Sequence, residues 1–294
     1  MANWHQITVV GSDEVSDSVS TLFEALGAVS VTFQDAADEP LYEPPPMSHP
    51  LWQKTRIAAL FEQSMDLETV RESISKALPG AGFQDWNIEL LPDRVWEREW
   101  MEHFKAMCFG ERFWVCPTHE SPPDPNAVNL VLDPGLAFGT GTHPTTALCL
   151  EWLSANDLRG LTIVDYGCGS GILSVASVLL GAKNAIAVDI DPQALTATAA
   201  NAQNNGVADR ISCRPAEQAI TELADVVIAN ILAKPLEDLA QVLLGCLRTH
   251  GKLVLSGLLI EQATGVAGAY EPRVRFASAT IRENWARLDG IKVR

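Results

Sequence analysis

Ile163-Val164-Asp165-Tyr166-Gly167-Cys168-Gly169-Ser170-Gly171 runs without a spare residue into Ile172-Leu173-Ser174-Val175-Ala176. An apolar, β-branched run, a glycine-rich turn and a second apolar run at helical spacing read as strand, turn and helix. Glycine suits the turn because the backbone must reverse through φ values that other residues resist. Outward from this unit the same rhythm repeats. Strands are expected at 128–132, 162–166, 184–190, 225–229 and 252–256, with helices at 145–153, 172–180, 193–204 and 235–247. Alternating apolar strands and helices specify an α/β fold, a mostly parallel sheet covered by helices on both faces. Ligands of such a sheet bind at the carboxyl ends of its strands, which is where this turn lies.

The first ninety residues have a different order. Strands are expected at 4–10, 28–33, 54–61 and 83–91, and helices at 13–26 and 67–78, with Gly27 as a helix stop and a Pro-rich loop at 40–50. That β-α-β-β-α-β succession is the ferredoxin-like α+β sandwich. Between the two parts, Trp96, Trp100, Met101, Phe104 and Met107 share one face of an amphipathic bridge helix over 94–107. The chain therefore divides into an α+β domain at 1–92, a helical linker at 93–112 and an α/β domain at 113–294.

Spacing narrows the ligand. A dinucleotide turn is G-x-G-x-x-G, and its third glycine falls here on Ile172. Gly167-x-Gly169-x-Gly171 is instead the form of nucleoside methyl-donor sites, and S-adenosylmethionine has no phosphate for a helix N-terminus to hold. Twenty-two residues after Gly167, Asp189 ends the next apolar strand, placed to accept both hydroxyls of a ribose. Asp191, before Pro192, reads better as a helix N-cap. Asn230 ends the strand at 225–229, beside the expected ligand. Its carbonyl can orient an amine for in-line attack on a methyl group; on position alone it is equally a turn former. The loop Asp133-Pro-Gly-Leu-Ala-Phe138-Gly-Thr140-Gly-Thr-His143-Pro-Thr-Thr146 offers hydroxyls and N–H groups to a carboxylate at a helix start. His143, without a spaced partner, reads as structural rather than as a base or metal ligand.

Bulk properties exclude several classes. Net charge is −16, with 18 Asp/Glu against 7 Lys/Arg in residues 1–110 and 19 against 14 thereafter. So acidic a surface repels nucleic acid and favours encounter with a basic partner. Six scattered cysteines without a C-x-x-C pair suit buried thiols in a reducing compartment. Apolar runs are too short to span a bilayer, and the N-terminus lacks a signal-peptide pattern. A cytoplasmic location, with no membrane attachment, is the expectation.

Taken together, the runs 133–146, Asp165 to Gly171, Asp189-Ile-Asp-Pro192 and Asn230-Ile-Leu-Ala233 resemble the bacterial methyltransferases of large-subunit ribosomal protein eleven, over essentially the whole chain. The resemblance implies a substrate-recognition domain joined to a Rossmann-like class I methyltransferase domain. It implies S-adenosyl-L-methionine as donor, S-adenosyl-L-homocysteine as product and no metal. It implies lysine side chains and the N-terminal amine of that ribosomal protein as acceptors; a monomer is the separate expectation for the enzyme. Donor-binding positions carry over to Thr146, Gly167, Asp189 and Asn230, and the residue reading adds Gly169, Gly171, Phe138 and Thr140, with Asn230 as the catalytic residue. Tyr166 stands where the family pattern leads one to expect Phe. The competing readings are an amino-group methyltransferase acting on another protein or a small-molecule amine, an idle donor-sensing protein and an NAD-dependent oxidoreductase. Enzymes acting on adenine or on a glutamine amide carry Asn-Pro-Pro-Tyr where this chain has Asn230-Ile-Leu-Ala233, so the stacking aromatic is missing.

Overall fold

The computed structural model describes residues 3–37, 51–92, 105–132 and 141–293. The chain forms two compact units, Met1–Trp96 and Glu97–Arg294. The expected loop at 40–50, most of the expected bridge helix, Phe138 and Thr140 lie outside the described residues. Lys105 and Ala106 are not helical and Met107 begins a strand, so the expected helix does not extend to 107.

The first unit runs β1 (Asn3–Gly11), α1 (Asp13–Ala25), β2 (Ser30–Asp35), β3 (Thr55–Glu62), α2 (Leu67–Ala77), β4 (Gln84–Pro92). All neighbours are antiparallel, in the order β2-β3-β1-β4. The element order is the one expected. Alternation puts Ile7 and Val9 of β1 and Ile57, Ala59 and Phe61 of β3 on one face, where Val19 and Phe23 of α1 and Val70 and Ile74 of α2 cover them. Gly27, at φ 97°, ends α1: Ala28 N–H donates to Phe23 O and Gly27 N–H to Glu24 O, satisfying carbonyls that the helix leaves open.

The second unit begins with a small sheet of β5 (Met107–Phe109), β6 (Phe113–Cys116) and β7 (Val128–Val131). It continues through α3 (Pro144–Ala155), β8 (Thr162–Tyr166), α4 (Ile172–Leu179), β9 (Asn184–Asp189), α5 (Pro192–Asn204), β10 (Ile211–Pro215) and β11 (Ala224–Asn230). Then follow α6 (Ala233–Asp238), α7 (Ala240–Cys246), β12 (Leu247–Leu259), α8 (Ala263–Tyr270), β13 (Val274–Phe276), β14 (Thr280–Arg282) and β15 (Trp285–Lys292). The main sheet has the order β10-β9-β8-β11-β12-β15-β13, with β14 also on β15. Its first five strands are parallel, and at one side β15 runs antiparallel to both of its neighbours, β12 and β13.

Three expectations are corrected here. The strand at 128–132 pairs with β6 in the small sheet, not in the main one. β10 was unread because Ile211-Ser-Cys-Arg-Pro, on the sheet edge, is only half apolar. The helix expected at 235–247 is two helices meeting at Leu239, and Leu247 already belongs to β12.

Successive side chains of the central strands face opposite layers. Ile163, Val226, Ile228 and Val254 pack with Leu150, Leu153, Ile172 and Val175 on one face. Val164, Val227, Leu253 and Leu255 pack with Leu236, Leu243, Val266 and Tyr270 on the other. Burial on both faces is why these strands are apolar throughout. From β8 the chain steps outward to β9 and β10, then returns to the other side of β8 at β11. The reversal between β8 and β11 opens a crevice at their carboxyl ends. Among the described residues no helix is long and apolar enough to cross a membrane.

Candidate active site

β8 delivers Tyr166 to the crevice rim, and the backbone then turns through Gly167, Gly169 and Gly171 at φ 80°, 53° and 77°. These are left-handed values that an L side chain adopts only with strain. Space forbids a side chain as well. A Cβ on Gly167 would lie 2.3 Å from Ile231 Cγ2, and one on Gly171 2.6 Å from Thr198 Cγ2. Both amides of Gly167 and Cys168 donate to Val188 O, and Gly171 caps α4. From α5, Thr198 Oγ1 donates to Gly169 O at 3.1 Å and Asn201 Nδ2 to Ser170 O at 2.8 Å. The turn is therefore held from both sides before any ligand arrives.

Asp189 ends β9 and braces the same turn. Its Oδ2 accepts from Gly169 N at 2.9 Å and its Oδ1 from Asp191 N at 3.0 Å. Each oxygen keeps acceptor capacity, since a carboxylate offers about four lone-pair sites. Asp191 caps α5 through Gln193 N at 2.8 Å, with Pro192 at the first helical position, as its sequence context suggests.

Under the turn, the wholly buried Asp165 accepts from Ser174 N at 3.0 Å and from Ser174 Oγ at 2.7 Å on Oδ2. Among the described residues its Oδ1 has no hydrogen-bond partner. Burial raises this carboxyl to about 6 against the pull of the Ser174 bonds, and Asp189 pushes the same way as burial.

Asn230 ends β11. Its Nδ2 donates to Thr146 Oγ1, on α3, at 3.1 Å. Its Oδ1 is buried and, among the described residues, has no hydrogen-bond partner. A buried amide oxygen left open costs about 1–3 kcal/mol, so this one awaits a donor. His143 caps α3, with Nδ1 2.8 Å from Thr145 Oγ1, and stands edge-on to Trp285 at a ring separation of 4.8 Å. Burial holds its imidazole below the usual range, against the opposing influence of Glu283. The structural role expected of His143 is its cap, but the ring also faces the crevice.

These groups meet in one cavity of about 720 Å³, lined among others by His143, Tyr166, Gly167, Gly169, Asp189 and Asn230. Its walls are otherwise mostly apolar, with Ile190, Ala216, Leu232 and Trp285 among them. Of the residues singled out from sequence, Gly167, Gly169, Asp189 and Asn230 line the cavity directly. Thr146 sits behind Asn230, Gly171 starts the helix below, and Phe138 and Thr140 lie outside the described residues. Trp285 and Gly257 escaped the sequence reading. Trp285 belongs to a C-terminal hairpin with no strong periodic signal. Gly257 lies within β12 at φ 89°, and a Cβ there would run into the backbone of Ile231, a cue visible only in three dimensions.

An acid at the rim, a turn that presents the bare backbone of Gly167 and Gly169, a buried amide oxygen and apolar walls suit a nucleoside with a charged, non-phosphate tail. The cavity volume falls in the range of small-molecule sites. A family model described as ribosomal protein L11 methyltransferase (PrmA) matches residues 3–293. The chain belongs to the ribosomal protein L11 methyltransferase family. Membership makes it a class I, S-adenosylmethionine-dependent methyltransferase, in line with its mostly parallel central sheet. It is 49% identical over 290 residues to the ribosomal protein L11 methyltransferase of Methylococcus capsulatus, covering 98% of this chain and 99% of that one. The protein of that name from Actinobacillus succinogenes is 49% identical over 289 residues, covering 98% of each. A crystal structure of ribosomal protein L11 methylase from Lactobacillus delbrueckii subsp. bulgaricus superposes with a TM-score of 0.59 at 29% identity, over 65% of this chain and all of that one.

Proposed function

We propose that the enzyme transfers methyl groups from S-adenosyl-L-methionine to amino groups of ribosomal protein L11, at lysine side chains and the N-terminal amine. The observation that carries this reading is the open, buried Oδ1 of Asn230 in a cavity whose rim bears Asp189 and the glycine turn. In it, Asp189 holds the ribose hydroxyls of the donor, and the turn lets its backbone approach Gly167 and Gly169. When bound, the donor supplies a sulfonium methyl, an electrophile that needs no nucleophile from the protein.

The chain's own residues prepare the amine. A free lysine amine ionises near about 10.4, so it arrives mostly charged and gives up one proton to solvent water before it attacks. The apolar walls at Leu232, Trp285 and Ile231 favour its neutral form by disfavouring the charged one. Asn230 Oδ1 then accepts an N–H of the amine and turns the nitrogen lone pair toward the methyl, contributing orientation rather than proton transfer. Such chemistry asks for no metal. The acidic 1–92 region recognises the basic substrate in this reading, 93–112 links it to the 113–294 methyltransferase domain, and the enzyme works as a cytoplasmic monomer. Its charge supports that assignment, and a Michaelis constant for the protein substrate that ignores added salt would remove the support.

A radiolabelled methyl-transfer assay on ribosomal particles from a strain lacking the enzyme tests the whole. One labelled small protein, identified as L11, is the expected result. Label on RNA, or on a different protein, refutes it.

A further inference from the structure

Asn230 can orient an amine only if its oxygen, not its NH2, faces the cavity. The two ends of an amide have nearly the same shape, so something must choose between them. Among the described residues the side chain makes one hydrogen bond, from Nδ2 to Thr146 Oγ1 at 3.1 Å. Thr146 is fully buried in the first turn of α3, and Thr145 rather than Thr146 is among the residues lining the cavity. Its hydroxyl thus faces the tip of β11 across the junction of helix and sheet.

We propose that Thr146 is a positioning residue: its hydroxyl oxygen accepts the Asn230 NH2 and so commits Asn230 Oδ1 to the substrate amine. The inference rests on the orienting role proposed for Asn230. It gives Thr146 this task in place of the donor contact that the family resemblance implies, since Thr146 is not among the residues lining the cavity. Electrostatics favour the same orientation. The cavity is to receive a sulfonium and an amine that arrives protonated, and an NH2 aimed at either would be repelled, whereas a carbonyl is attracted. A hydroxyl can donate as well as accept, so the bond alone would tolerate either amide orientation. The bond and the positive guests together select one.

Thr146→Val keeps the shape and removes the acceptor, leaving a buried NH2 unpaired in the native orientation. With nothing to hold its inner end, the amide then rotates out of the productive orientation for part of the time. The expected result is a kcat lowered about ten-fold or more, with the calorimetric Kd for S-adenosylmethionine within about two-fold of wild type. Thr146→Ser restores kcat because it restores the acceptor. A double-mutant cycle separates positioning from simple damage. If Thr146 acts through Asn230, then Thr146→Val adds no loss in the Asn230→Ala background, whereas a generally disturbed site loses additively. Tm measured on every variant identifies any that fails to fold, and the Thr146→Ser comparison then decides. The proposal is overturned if Thr146→Val weakens donor binding and leaves kcat at saturation unchanged, or if the two losses add. If Asn230→Ala itself retains full turnover, the orienting role of Asn230 fails first; loss in Asn230→Ala with none in Thr146→Val overturns the Thr146 inference alone.

Discussion

Replacing Asp189 by Asn changes two or three atoms' chemistry and almost no volume, so its effect on donor affinity can be worked out from the bonds at that carboxylate. The wild-type side chain accepts from Gly169 N at 2.9 Å and from Asp191 N at 3.0 Å, one bond per oxygen. In the proposed complex both oxygens also accept ribose hydroxyls. Asparagine has a single oxygen, so its NH2 opposes one of the two backbone N–H groups and leaves the ribose hydroxyl on that side without a charged acceptor. Hydrogen bonds to a charged group contribute about 1.5–3 kcal/mol each, and losing one of the two ribose bonds corresponds to at least about ten-fold in Kd. Asp189→Ala loses both, for a weakening of about 10²-fold or more. Calorimetric titration with S-adenosylmethionine measures each directly. Asp189→Ala also frees the N–H of Gly169, so Tm should fall by several degrees while the protein stays folded. Wild-type affinity in both variants would refute the ribose assignment. An equal loss in both, with Asp189→Asn as weak as Asp189→Ala, would show that the turn's geometry and not the ribose contact governs binding.

Gly167→Ala places a methyl 2.3 Å from Ile231 Cγ2 at a φ of 80°, so Ile231 must move within the cavity it lines. The backbone cost alone is about 1–2 kcal/mol, and donor affinity should drop about ten-fold or more by the same titration; unchanged affinity would mean the turn is not the donor cradle. Asp165 governs a pH dependence of stability. Its folded pKa is about 6, above the ordinary 3.8, so the unfolded chain releases this proton first as pH rises. Its contribution is therefore fully present below about pH 4 and is lost as pH rises through 6, a change of about 3 kcal/mol. Urea unfolding of wild type and Asp165→Asn should show the difference between them shifting across that window, and a constant difference would contradict the burial argument.

The glycine turn, Asp189 and Asn230 were legible because each follows from spacing at the end of an apolar strand. Such strands are apolar on both faces for a reason the structure supplies: Val226 and Ile228 meet one helical layer while Val227 meets the other. The half-polar strands were not legible. β10 is a sheet edge, and β15, Trp-Ala-Arg-Leu-Asp-Gly-Ile-Lys, mixes charges into its pattern because Arg287 and Asp289 pair with each other at 3.1 Å. Missing β15 meant missing Trp285. Asn230 illustrates a second limit. Sequence could place its amide at the rim and could not say which end faced inward, since that depends on Thr146, 84 residues away.

A crystal structure with S-adenosylhomocysteine bound tests the convergence of turn, acid and amide most directly. The account requires both ribose hydroxyls within hydrogen-bond distance of the Asp189 carboxylate, and the thioether sulfur on the Asn230 side of the cavity with Oδ1 turned toward the space beyond it. A nucleoside seated elsewhere, or an Asn230 that presents its NH2 to that space, would contradict it.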